Sequence, residues 1–224
     1  MKPLEVVAIL QGDIVLPNGH LALDGLLAAS VAREQGIPPA HYKDEIVPID
    51  VPLEKHASGA YHLASVGHCE VEESERRWIN RRYPVEQAQT LGEQRFRSYK
   101  VDSGACRSYR MPVPAFYARD DAMTWWAIGD RDEVERLLQN ITYVGKKRST
   151  GHGRVREWRV RELDEHEVWE GFPVMREGMP LRALPLDTPG LSDAAPVALG
   201  VLSYPYWARW LEQPLAMPAE AIKL

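Results

Sequence analysis

The sequence holds only two cysteines, Cys69 and Cys106, among its 224 residues. Two thiols cannot complete an all-cysteine zinc site or a disulfide framework. They read as reduced thiols of a cytosolic protein. Long apolar runs are missing too. The longest charge-free stretch of apolar character, 194–208, is interrupted by Pro196, Gly200 and Pro205. It falls short of the ~20 residues that cross a bilayer. The start, Met1-Lys2-Pro3-Leu4, has no apolar signal core before Glu5. These absences point to a soluble, cytoplasmic chain with no membrane contact. At 45% hydrophobic and 26% charged residues the composition is ordinary for a globular domain, which excludes global disorder.

Residues 4–10 (LEVVAIL) are apolar and β-branched and read as a buried, central strand. Pro17-Asn18-Gly19 marks a turn. Residues 21–35 read as a helix, apolar nearly all round, stopped by Gly36 before Pro38-Pro39. Residues 61–66 and 123–128 read as strands. Residues 130–141 form the clearest helix. Asp130 caps it, Glu133 fits a capping box, and Val134, Leu137, Leu138 and Ile141 make one apolar stripe. Residues 154–163 read as a last strand with arginines on both faces.

The order is βαββαβ, so the expected class is α+β with a ferredoxin-like (RRM-like) domain over residues 1–163. The stretch 70–115 between strands two and three is too long for a plain connection and reads as a structured insertion. From Asp164 onward the chain holds eight of its seventeen prolines. That density predicts an extended segment, 164–224, wrapping the domain or meeting partners, with a short helix near 207–211.

A net charge of −5 hides a strong segregation. Between 76 and 110, nine basic residues (Arg76, Arg77, Arg81, Arg82, Arg95, Arg97, Lys100, Arg107, Arg110) face three acidic ones. Between 145 and 161, seven (Lys146, Lys147, Arg148, Arg154, Arg156, Arg159, Arg161) face Glu157 alone. Each segment therefore carries +6, and the remainder −17, the footprint of a polyanion binder. The competing reading is two solvated faces of surface arginines. Arginine dominates both segments, and its planar fork suits phosphate and base stacking. Tyr83, Phe96, Tyr99 and Tyr109 interleave with the first set, as stacking on unpaired bases would require.

The densest motif is Gly145-Lys146-Lys147-Arg148-Ser149-Thr150-Gly151-His152-Gly153-Arg154-Val155. Three glycines permit positive φ and close backbone approach, and consecutive N–H groups can form an anion nest. Lysines, arginine and hydroxyls add donors. The loop is not a P-loop, since five residues separate its first two glycines and His152 follows the second. It reads as a phosphate-tracking loop.

The GKKRSTGHGRV stretch resembles the glycine-rich loop of the CRISPR-associated RAMP superfamily, whose domains are RRM-like. The early HLALDGLLAASVA, with His20, Asp24 and Gly25, resembles that superfamily's first helix. Length and the Pro205-Tyr206-Trp207 ending are most similar to the small RAMP subunit of type IV effector complexes. The resemblance covers 4–36 and 120–163 well and the tail loosely; the insertion corresponds by position to a thumb. It implies a subunit that holds the 5′ handle of the crRNA and caps the backbone filament. The implied RNA contacts are residues 145–154, Arg156, His20, and Arg76, Arg77, Arg81, Arg82, Arg95 and Arg97. The implied partners are the backbone RAMP subunit and a large subunit, with target DNA met only through guide pairing.

No cofactor, metal or catalytic residue is expected. His62, His68 and Cys69 make an unconvincing metal set, and no G-x-S-x-G elbow is present. One alternative is a metal-independent endoribonuclease of the same superfamily, with His152 or His20 first in line as the acid–base group. Another is a nucleotide-binding enzyme on a ferredoxin-like fold.

Overall fold

The computed structural model describes residues 1–16, 20–37, 47–81, 108–218 and 222–223. It is an α+β structure with few helices and several mostly antiparallel sheets. Two compact units emerge: residues 1–73 with 116–224, and residues 74–115. The expected turn at 17–19 lies outside the described residues.

The centre of the larger unit is β1 (Lys2–Leu10). It pairs antiparallel with β4 (Ala122–Gly129) on one side and β5 (Val155–Glu162) on the other. Alternation sorts the side chains by face. Leu4, Val6 and Ala8, Met123, Trp125 and Ala127, and Trp158 and Val160 all turn to one side and are buried. Helices α1 (Leu23–Glu34) and α2 (Arg131–Leu138) contribute to that same core through Leu23, Leu27, Val134, Leu137 and Leu138. Trp125 and Trp158 lie 5.7 Å apart, and each indole N–H is satisfied, by the carbonyls of Leu21 and Ile141.

The helix ends follow local rules. The Asp130 carboxylate accepts from the Glu133 N–H at α2. The return half of the expected capping box is absent, because the Glu133 side chain pairs with Arg136 instead. At the end of α1, Gly36 takes φ +65°. Its N–H reaches Arg33, and that of Ile37 reaches Ala32, a Schellman closure.

The expected second strand is only partly regular. Ala64 and His68 bridge Ala127 and Thr124 on the free edge of β4, but no continuous ladder forms before Cys69. The cause is a competing set of partners: Val66 gives its N–H to Leu181, and Gly67 to Leu21. The insertion is framed by β2 (Cys69–Arg81) and β3 (Tyr109–Ala118), neighbours in a second sheet with β10 (Ile222–Lys223). After Asp164 the chain is extended, with two small hairpins. One pairs β6 (Met175–Arg176) with β7 (Met179–Pro180); the other pairs β8 (Val197–Gly200) with β9 (Gln213–Ala216). The helix near 207–211 is a single 3-10 turn, Arg209–Leu211. Among the described residues no helix is long and apolar enough to cross a membrane.

Arg182 ties this extension to the domain. It is 2% exposed and donates to the carbonyls of His62, Ala64 and Leu202. Its guanidinium also stands 3.6 Å from Asp24, which is 1% exposed at the start of α1. The Tyr206 hydroxyl donates to the same carboxylate at 2.8 Å. Burial pushes the Asp24 carboxyl up, but the Arg182 charge, the neighbouring His62 ring and the Tyr206 hydroxyl outweigh it and hold the pKa below its ordinary value. A carboxyl with a depressed folded pKa stabilises the fold above its unfolded pKa, ~4, and that contribution is lost as pH falls through the folded value.

Stability measured by urea unfolding should therefore decline from about pH 4 downward. At pH 7, Arg182→Ala should cost about 3–5 kcal/mol, because it strands a buried carboxylate. Replacing both charges, as Asp24→Leu with Arg182→Met, should cost less than Arg182→Ala alone. An Arg182→Ala cost below about 1 kcal/mol would show that the pair does not hold the extension in place.

Candidate nucleic-acid interface

The glycine loop leaves α2 and enters β5, and it docks along the segment that follows β1. Lys146 N–H bonds the Val15 carbonyl, and Gly153 N–H bonds that of Asp13, at 2.7 and 2.8 Å. The Val144 N–H closes the neck on the Gly153 carbonyl. This close approach leaves no space for side chains. A Cβ at Gly145 (φ +78°) would stand 2.5 Å from the Val15 carbonyl oxygen. At Gly153 (φ +70°) it would stand 1.9 Å from that of Val144. Both glycines are required by close approach and by φ.

Above this neck the loop opens to solvent. Lys147 adopts φ +61° and leads into a 3-10 turn, Arg148–Thr150. Lys146, Arg148, Ser149, Thr150 and Gly151 are exposed, while Lys147 is half-buried. The Thr150 hydroxyl donates to the Lys147 carbonyl, so it shapes the turn instead of standing free as a donor.

His152, expected at the ligand surface, is buried at 6% exposure. Its Nδ1 lies 2.9 Å from the Asp13 carboxylate, which is also buried. The pair fastens the loop to the chain after β1. Asp13 carries no local signal of this role, since 139 positions separate the partners. His20 is half-buried, and burial lowers its pKa, which favours the neutral ring.

The basic segment 145–161 divides in two. On β5, Arg159 forks onto Glu157, and Arg161 bonds both Glu5 and Glu167. By contrast, no described carboxylate lies within ion-pair distance of Lys146, Lys147, Arg148, Arg154 or Arg156. All of these but Lys147 are exposed. Unpaired cations gathered on one loop and the strand start beside it form the stronger anion-attracting surface.

In the smaller unit, Arg76 is exposed, and Arg77 pairs with Glu75 at 3.1 Å. The Arg110 guanidinium lies over the Trp78 ring, 4.4 Å from its centroid. Arg82, Arg95 and Arg97 lie outside the described residues, as does the side chain of Arg81. Among the described residues, the one cluster of possible metal ligands is Asp164, His166 and Glu167. A capping box between Asp164 and Glu167 explains it without an ion.

Two substitutions separate the neck from the exposed tip. Gly153→Ala should destabilise the protein by at least about 2 kcal/mol, through both its φ and its clash with Val144. Gly151→Ala (φ +95°) meets no atom within 4 Å and should cost only the conformational strain, about 1–2 kcal/mol. Denaturant unfolding of the two variants checks the order.

No curated protein matches the chain. The family model described as CRISPR type IV associated protein Csf3 matches residues 2–218. That span takes in the sheet, the glycine loop and most of the proline-rich extension. The chain belongs to the Csf3 family, and is thus a RAMP-like subunit associated with type IV CRISPR systems.

Proposed function

We propose that this protein is a non-catalytic, guide-RNA-binding subunit of a type IV CRISPR effector complex. It holds the 5′ handle of the crRNA and caps the backbone filament. The observation that carries this reading is the run of unpaired cations on the loop 145–154, set on a rigid neck. Family membership supplies the complex. A pre-ordered cationic loop suits a single-stranded handle, because little protein entropy is given up when phosphates dock.

We also read the larger unit as a ferredoxin-like RAMP domain over residues 1–163. The strand order β5–β1–β4, with residues 64–68 bridging the outer edge of β4, supports it. The inserted arm at about 70–115 acts as a thumb in this reading. The cation–π pair of Arg110 and Trp78 is of the kind that stacks on bases. The extension after 164 faces protein neighbours, the backbone subunit and a large subunit. Val197, Leu199, Trp210 and Leu211 are exposed there, more apolar surface than a monomer needs. The absence of a catalytic role rests on the histidines. His152 is 6% exposed against Asp13 and His20 is half-buried, so neither presents much of its ring to a bound strand.

The test is a titration of guide precursor in metal-free buffer, read on native and denaturing gels. Intact bound RNA is the expected result; one discrete cut would overturn the non-catalytic reading in favour of the endoribonuclease. Lys146→Ala, Lys147→Ala and Arg148→Ala together should weaken binding. They should also flatten the log K against log salt slope by about 0.7 for each phosphate no longer neutralised. An unchanged slope would remove the loop from the interface.

A further inference from the structure

The sheet face opposite the helices carries a second feature. Along the β4 edge lies an open cleft of about 800 Å³, formed wholly within the larger unit. Its floor is Trp126, half-buried, with the His68 ring 5.3 Å away. Trp169 meets Trp126 edge-on at 5.4 Å, and Arg176 lies over Trp169 at 4.8 Å. One wall is the turn between β3 and β4, with Arg119 and Asp120. The other is the β6–β7 hairpin, with Glu177.

Backbone strain concentrates on these walls. Among the described residues four non-glycine positions have positive φ. Lys147 is one; the others are Asp120 and Asp121 (both +56°) and Glu177 (+52°), on opposite sides of the cleft. Each costs about 1–2 kcal/mol relative to ordinary backbone. Strain of this kind gathers where side chains must be aimed at a ligand.

The charges indicate what the cleft would accept. Arg119 is taken up by Glu70. Burial pushes the Cys69 thiol up to about 11, so it lines the wall as a neutral group. Arg176 then stands against Asp120 and Glu177, a slightly acidic rim. Such a rim repels phosphate and accepts N–H donors. A guanidinium from another protein would suit the aromatic floor, but Arg176 already holds the cationic place and would repel it. A flat, neutral ring with amino hydrogens meets all the conditions.

We propose that this cleft binds one unpaired nucleobase bearing an exocyclic amino group, stacked on Trp126. The carboxylates of Asp120 and Glu177 accept from its N–H groups. Cytosine offers such a donor, and uracil presents an acceptor at the same position. The proposal rests on the RNA-binding reading above, and the sheet connects the two sites. Val7 of β1 pairs with Thr124 of β4 and with Arg159 of β5. The loop joins β5 at Arg154, five residues along the strand from Arg159, so the cleft and the loop are separated by two strand spacings across the sheet and about 17 Å along it, about 20 Å in all. A short run of unpaired RNA crosses that distance while its phosphates remain on the basic loop.

The test compares oligo(C) with oligo(U) of equal length on the full chain, across a salt series. Oligo(C) should bind about tenfold more tightly, the discrimination of one good base-edge contact. Asp120→Asn with Glu177→Gln keeps size and exposed position. It should bring the ratio close to one while leaving the salt slope unchanged. Trp126→Leu should weaken both oligomers. The Lys146, Lys147 and Arg148 triple alanine should lower both affinities and the salt slope yet keep the ratio. Equal affinities in the unmodified protein, with a steep salt slope, would overturn the base site and leave the loop standing. A ratio unmoved by the Asp120 and Glu177 changes would also overturn it. No binding to either oligomer would overturn both readings, and protection of the cleft by an arginine-containing peptide would then assign it to a protein partner.

Discussion

A buried ion pair sets the terms for the rest of this structure. Asp24 lies at the start of α1, where an ionised carboxylate without a partner would not be tolerated. Arg182 and Tyr206 supply the compensation from the far end of the sequence. Arg182 also accounts for the carbonyls of His62 and Ala64. Those carbonyls belong to the segment whose alternation favours a regular second strand. One guanidinium thus closes the domain, fixes the edge beside β4 and anchors the extension. Pairs like this bring little net stability over an apolar equivalent, but they penalise every alternative arrangement of the chain. Here they specify where the tail runs.

Around that anchor the three-stranded sheet divides the labour. Its helix face is dry and closed by two tryptophans whose N–H groups are both satisfied. Its other face is polar and open, with paired charges on β5 and a strained, aromatic cleft at the β4 edge. Charge alone does not separate these regions. Arg159 and Arg161 look in the sequence like Arg154 and Arg156, yet the first two are bonded to carboxylates, while Arg154 and Arg156 lie beyond ion-pair distance of any described one, Arg156 feeling Glu157 only at longer range. Ion pairing decides which part of a basic segment remains available to a polyanion.

The central elements are legible in the sequence because their signals are local. The apolar run of β1, the stripe of α2 with its Asp130 cap and the Gly36 stop all appear as expected, within a residue or two at most ends. The second strand is not legible in this way. Its alternation is present, and Leu63, Ser65 and His68 do bond across to β4, but Val66 and Gly67 turn to Leu181 and Leu21, partners that no local pattern reveals. The glycine loop is recognisable as a close backbone approach. What it approaches, the chain at Asp13 to Val15, is not. His152 has the look of a ligand-facing residue because histidine in a basic loop often is one; its burial on Asp13 is a tertiary fact. The cleft has no signature at all, since its walls come from residues around 68, 120 and 177.

The Tyr206–Asp24 hydrogen bond spans 182 positions. Synthesis delivers those positions in order, the N-terminal end first. While the chain emerges, the Asp24 carboxylate of α1 lacks its cationic partner until residue 182 has been made, and its Tyr206 hydrogen bond until later still. The apolar face of the sheet therefore encloses an ionised Asp24 only after most of the chain has been made. A carboxyl buried before then is driven toward its neutral form, so the charged state of Asp24 records that the tail has arrived.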